Sequence, residues 1–234
     1  MTRKTQLISL TFLMCTLFLC GCDQLRKDSR KKSPAVGNTP SEQKKAKLLK
    51  QIDRKFENPQ AHFELGQIYQ ADGMWIQAEN EYKTALNFEP AHKQAQAGRI
   101  KVLLALDDKD KAEFLVNEYI SQASNSATGS LRLALAFQKQ LLDDYALACY
   151  QQALHLAPNS ARVHRQLGYY YLSKNDKVRA EEYLKRSFQL DPLQPEVAGE
   201  LGRLGVEVRI PQKTEKRTKK LDKIAEESRK EEKG

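Results

Sequence analysis

The sequence predicts an all-α chain of stacked helical hairpins, and three observations carry that prediction. Residues 161–194 hold two amphipathic stripes joined by a turn. Val163, Leu167, Tyr170 and Tyr171 share one face of the first helix, and Ala180, Tyr183, Leu184 and Phe188 share one face of the second. The same layout recurs upstream in steps of 34 residues, giving units 59–92, 93–126, 127–160 and 161–194 with no insertion. Small residues recur in fixed columns: Gly66, Ala134 and Gly168 in one, and Ala78, Ala112, Ala146 and Ala180 in another. A single hairpin cannot bury its apolar faces, so it needs neighbours of its own kind.

In chain order, residues 1–21 have the parts of an export signal. Arg3 and Lys4 precede a mostly apolar run from Leu7 to Cys20, shorter than the roughly 20 residues of a membrane-spanning helix. Leu19-Cys20-Gly21-Cys22 follows and resembles the lipobox of bacterial lipoproteins, with Cys20 where Ala or Ser is usual. That resemblance implies diacylglycerylation of the Cys22 thiol, cleavage before Cys22 and acylation (palmitate-type) of the new N-terminus. An ordinary cleaved signal or an uncleaved anchor is the alternative. Two or three acyl chains hold firmly where one is marginal, at about 0.8 kcal/mol per buried methylene. Asp23, by the same resemblance, implies retention at the periplasmic side of the inner membrane.

Residues 22–40 read as a flexible basic tether, without periodicity and with Pro34, Gly37 and Pro40. The tether reaches roughly 25 Å as a random coil. Arg26, Lys27, Arg30, Lys31 and Lys32 would each add about 1 kcal/mol of attraction to an anionic leaflet. Residues 41–57 predict an N-terminal helix capped by Ser41, with Leu48, Leu49, Ile52 and Phe56 as its stripe. Lys174-Asn175-Asp176 makes the turn of the last full unit, and Pro192 closes it. Residues 195–205 predict a capping helix, stopped by Gly205 and Pro211. Residues 206–234 form a charged tail, as a solvated helix or as disorder.

The formal charge of +9 is uneven. Residues 23–55 carry 11 basic and 4 acidic side chains, whereas residues 56–208 carry 16 and 20. A mildly acidic body argues against nucleic acid as a partner. Four cysteines, three of them before residue 23, make neither a disulfide framework nor a zinc pattern. His62 and His164 fall in one helical column with Gln96 and Ser130 and read as packing residues. Asp107, Asp108 and Asp110 lack the glycine and distal glutamate of a calcium loop. No catalytic, cofactor or metal constellation emerges.

Leu65-Gly66-x2-Tyr69 with Ala78, Tyr82, Ala85 and Pro90 resembles the tetratricopeptide repeat (TPR). So do Leu167-Gly168-x2-Tyr171 with Ala180 and Pro192, and Leu133, Phe137, Ala146, Tyr150, Ala153 and Pro158. The consensus tryptophan is absent. Unit 93–126 departs most, with Arg99 where leucine is expected and Tyr119 where alanine is, which predicts a wider helix crossing. The resemblance implies a TPR solenoid of four repeats plus N-terminal and capping helices. It also implies a groove lined by the first helix of each pair, holding a peptide. Arg132, Lys139, Arg162, Arg165 and Tyr169 fall on that face, either as a site for an acidic or C-terminal carboxylate segment of a protein partner or as a solvated basic face. Phe63, Gln67, Leu131 and Leu135 do not match the asparagine-bearing carboxylate clamp. The expectation is a lipid-anchored, non-catalytic adaptor or scaffold in envelope or pilus/secretion assembly. Recruitment of cell-wall hydrolases is an alternative; an enzyme or metal-binding protein on the same solenoid is another.

Overall fold

A computed structural model describes residues 39–209. The predicted lipid attachment at Cys22, the predicted tether up to residue 38 and the tail from residue 210 lie outside the described residues. The chain divides into Met1–Lys47 and Leu48–Gly234. In the first, the described part is the start of helix α1 (Pro40–Arg54). Its cap is Thr39, not Ser41. Thr39 Oγ1 accepts from the Glu42 N–H and the Glu42 carboxylate accepts from the Thr39 N–H, each at 3.2 Å. This reciprocal pair satisfies two otherwise orphan donors, and it needs the acidic residue three positions on, which Ser41 lacks.

Leu48–Gly234 contains the rest of α1 and nine further described helices. They are α2 (Pro59–Ala71), α3 (Trp75–Phe88), α4 (Lys93–Ala105), α5 (Lys109–Ala123), α6 (Ala127–Lys139), α7 (Asp143–Leu156), α8 (Ala161–Ser173), α9 (Lys177–Leu190) and α10 (Pro195–Arg203). The pairs α2–α3, α4–α5, α6–α7 and α8–α9 are the four hairpins. Side-chain oxygens of Asn58, Ser126, Ser160 and Asp176 and the His92 ring cap α2, α6, α8, α9 and α4. Each hairpin turns through one left-handed residue at the same column: Gly73, Asp107, Leu141 and Asn175, with φ of 72°, 60°, 59° and 58°. Gly73 and Asn175 suit that conformation; Leu141 does not.

A continuous apolar core runs from Phe63 to Ala180. Leu48 and Ile52 pack on Ala61, Leu65 and Ile68 at one end, and Leu184, Val197 and Leu201 close the other. The predicted stripe of the first helix is only half realised. Leu49 is exposed, α1 stops at Arg54, and Phe56 lies beyond it with its ring edge-on to His62 at 5.1 Å. The capping helix likewise ends at Arg203, and Gly205 turns the chain at φ 84°.

The tight crossings sit where the small residues are. A Cβ added at Gly66 would lie 2.8 Å from the Tyr82 ring, and one at Gly168 would lie 2.6 Å from Leu184. Unit 93–126 differs, as its sequence implies. Its helices α4 and α5 touch less closely than any other pair, and α4 packs harder on α3 of the preceding unit. Ile100 fills the Gly66 column and Tyr119 fills the column of Ala85 and Ala153, both buried, so two bulky side chains hold the pair apart.

Candidate functional site

The first helices of successive hairpins place a cleft of about 510 Å³ between the start of α2, the start of α4 and one face of α6. His92 sets the α4 side. Its Nδ1 accepts from the Ala95 N–H at 3.1 Å, and its ring packs 4.5 Å from Phe63. This fixes where α4 begins and puts Lys93 and Gln94 at the mouth. Arg132, Leu135, Ala136 and Lys139 follow at the i, i+3, i+4 and i+7 spacing that puts them on one helical face. His92 and Ala136 are buried beneath the cleft, while Arg132 and Lys139 are exposed on it.

Three cations therefore face Glu89, the one carboxylate among the lining residues. Lys93 donates to Gln96 Oε1 at 3.2 Å, and partial burial lowers its pKa. Among the described residues no carboxylate pairs with Arg132 or Lys139. Such a surface can hold an anionic segment through charge-assisted hydrogen bonds, with Leu135 as apolar floor.

The five groove residues predicted from sequence have different surroundings. Arg132 and Lys139 line the cleft; Arg162, Arg165 and Tyr169 do not. Arg165 donates to Gln194 Oε1 at 3.1 Å, so it joins α8 to the start of α10. Tyr169 packs on the Leu184, Val197 and Leu201 cluster, and burial raises its pKa. Arg162 stays exposed on its own turn of α8. Lys93 was missed, although it opens its unit in the column of Pro59, Ala127 and Ala161, where a cation stands out.

The column that lacks tryptophan has a common role instead. Each residue reaches back to a carbonyl just before its hairpin, in the preceding loop or, for Ser130, at the end of α5: His62 Nε2 to Phe56 at 2.9 Å, Gln96 to Pro90 at 2.7 Å, Ser130 to Ala123 at 3.1 Å and His164 Nε2 to Pro158 at 2.8 Å. All four are buried, so the histidines pack, and they also tie each hairpin to the chain just before it. Tyr82 and Tyr150 donate to Gln70 and Gln138 at 2.6 and 2.5 Å, a pairing repeated two units apart. Cys149 is buried, and burial pushes its thiol up to about 12, which leaves little thiolate for nucleophilic chemistry. Among the described residues no group of three or more His, Cys, Asp and Glu side chains could hold a metal. No described helix is long and apolar enough to cross a membrane.

Residues 161–192 match the family model of the tetratricopeptide repeat. The body of this chain is a TPR-like solenoid of helical hairpins, whose last full unit matches that family model. Human protein O-mannosyl-transferase TMTC1 is 24% identical over 125 residues, covering 53% of this chain. The chain spans only 14% of that protein's length. TTC0263, a thermophilic TPR protein of Thermus thermophilus, is 16% identical, with 68% of this chain and 88% of that one covered and a TM-score of 0.39. The Pseudomonas aeruginosa pilF structure is 25% identical, with 62% and 67% covered and a TM-score of 0.37. One matched repeat and the hairpin architecture are what this chain shares with TPR proteins.

Proposed function

We propose that this chain is a lipid-anchored adaptor of the bacterial cell envelope that holds protein partners through its TPR cleft. The observation that carries the reading is the cleft itself, in which Lys93, Arg132 and Lys139 face a single glutamate within an otherwise mildly acidic body. Its ligand is an acidic segment of a partner protein, engaged in extended form with carboxylates on the arginine and lysines. The anchor is Cys22, at the end of Leu19-Cys20-Gly21-Cys22, and the basic tether keeps the solenoid near the membrane. Envelope or pilus/secretion assembly is the process such an adaptor serves, on the periplasmic side of the inner membrane if Asp23 acts as a retention signal.

Crosslinking in intact cells, followed by identification of captured proteins, tests both parts. Wild-type chain should capture a defined set of partners, and Arg132→Glu with Lys139→Glu should lose them while the protein stays folded. Unchanged capture by that double variant would overturn the cleft. Cys22→Ala should fail to incorporate labelled palmitate and should leave the membrane fraction; a variant still labelled and membrane-bound would overturn the anchor.

A further inference from the structure

His62 and His164 occupy the same column in the first and last units, and each uses Nε2 in the same way. Nε2 lies 2.9 Å from the Phe56 carbonyl oxygen in one and 2.8 Å from that of Pro158 in the other. A carbonyl only accepts, so Nε2 carries hydrogen in both rings. The two differ at Nδ1. His62 Nδ1 lies 2.7 Å from Glu81 Oε2, so a carboxyl group answers that nitrogen. His164 Nδ1 is buried and has no hydrogen-bond partner. Tyr183 stands in the column of Glu81, with its ring 5.9 Å from the imidazole. An orphan buried nitrogen is costly, and the residue that would answer it is missing from this unit alone of the two.

Beside His164 lies a hollow of about 350 Å³, whose rim carries Lys185, Arg186 and Glu182. Lys185 pairs with Glu181 on the surface and Arg186 donates to Asn159, both exposed contacts that an incoming anion can outcompete. This hollow shares no residue with the TPR cleft.

We propose that the hollow is a second binding site, which receives an acidic side chain of a protein partner. The incoming carboxylate takes the place at His164 that Glu81 takes at His62, and it is held on its other side by Lys185 and Arg186. Entry requires the half-buried Tyr183 ring to swing aside, leaving its stack on Tyr171 at 5.5 Å. A neutral His164 would turn a lone pair toward the carboxylate, so binding takes up one proton at Nδ1. The groups facing this proton are Glu182, Tyr183, Lys185 and Arg186 from α9; the preceding loop, residues 157–160, adds no charge.

The test uses the purified full chain with two blocked peptides, hexaglutamate and hexaglutamine, and a third peptide whose only carboxylate is its C-terminus. Hexaglutamate should move the His164 ring nitrogen signals saturably toward the doubly protonated form. Calorimetry in two buffers of different ionisation enthalpy should show proton uptake. His164→Gln keeps the carbonyl bond, as Gln96 does in its own unit, but cannot take up a proton. It should bind about tenfold more weakly, without uptake. Lys185→Glu with Arg186→Glu should weaken binding by about the same factor, whereas the Arg132→Glu, Lys139→Glu chain should still shift His164. Tyr183→Glu should supply the carboxylate internally, giving a doubly protonated His164 without peptide and a closed site. The proposal is overturned if hexaglutamate leaves the His164 signals in place, if hexaglutamine or the C-terminal peptide shifts them equally, or if Tyr183→Glu leaves the ring singly protonated.

Discussion

Units one and two are built from the same 34-residue template and cross their helices differently. In unit one, Gly66 lets α2 and α3 close onto the Tyr82 ring. In unit two the corresponding residue is Ile100, and the glycine has moved two positions back, to Gly98. Two residues turn a helix by about 200°. The close approach therefore passes from the hairpin's own partner to the preceding unit, where a Cβ at Gly98 would meet the hydroxyl-bearing end of the Tyr82 ring at 2.7 Å. Tyr82 thus lies between two glycines from successive units, fully buried, with its hydroxyl on Gln70. The gap that Ile100 and Tyr119 open in unit two is bridged by polar groups. Glu79 of α3 accepts from Arg99 at 3.0 Å and from Lys111 at 3.3 Å. A solenoid can therefore loosen one hairpin and keep its continuity, provided the small residue changes face.

The most damaging test of this comparison removes the shared ring. Tyr82→Ala empties both crossings at once and should cost about 4 kcal/mol in urea unfolding, within the range for truncating buried aromatics. Gly66→Ala and Gly98→Ala each press a methyl into the same ring and should cost about 2 kcal/mol each. Because both clash with one side chain, their effects should shrink together in a Tyr82→Leu background. Gly98→Ala retaining its full cost there would mean that the ring does not couple the two units.

The close crossings of units one and four were legible in the sequence, because the period aligned Gly66 with Gly168 and repeated alanines in a second column. Arg99 and Tyr119 likewise announced the open hairpin. Gly98 was not legible, since a glycine outside its column has no meaning until its helix face is known. The back-reaching bonds of His62, Gln96, Ser130 and His164 depend on where a preceding carbonyl falls, and a column of unlike polar residues does not reveal a common acceptor. In the cleft, Arg132 and Lys139 were legible from helical spacing on α6. The contacts of Arg165 with Gln194 and of Tyr169 with the capping helix were not legible, because those partners lie beyond the repeat that defined the groove.

The hairpin turns give a milder comparison. Gly73 and Asn175 tolerate the left-handed conformation, whereas Leu141 adopts it at φ 59° with three-quarters of its surface exposed. Little packing offsets the strain at that position, and an L-residue in this region costs about 1–2 kcal/mol. Leu141→Asn, which copies unit four, should raise stability by about 1 kcal/mol in thermal or urea melts. A drop on substitution would mean that the leucine side chain makes a stabilising contact in the folded chain.

The smallest effect separates two helix caps. Asp108 precedes α5 without accepting a side-chain cap bond. Asp176 accepts from the Arg179 backbone N–H at 3.0 Å and from its guanidinium at 2.6 Å. Those two bonds, the backbone one first, hold the Asp176 carboxyl below the usual carboxylate range. A carboxyl that is more acidic folded than unfolded binds fewer protons in the native state, so stability must fall as pH drops. The contribution of Asp176 is complete above the ordinary carboxylate pKa and disappears as pH falls through its lowered value. Asp176→Asn keeps a capping side chain but cannot titrate, and it should flatten the acid limb of a stability–pH curve. Asp108→Asn should leave that limb unchanged. Equal flattening by both would show that net charge at the turns, rather than the cap bond, sets the acid sensitivity.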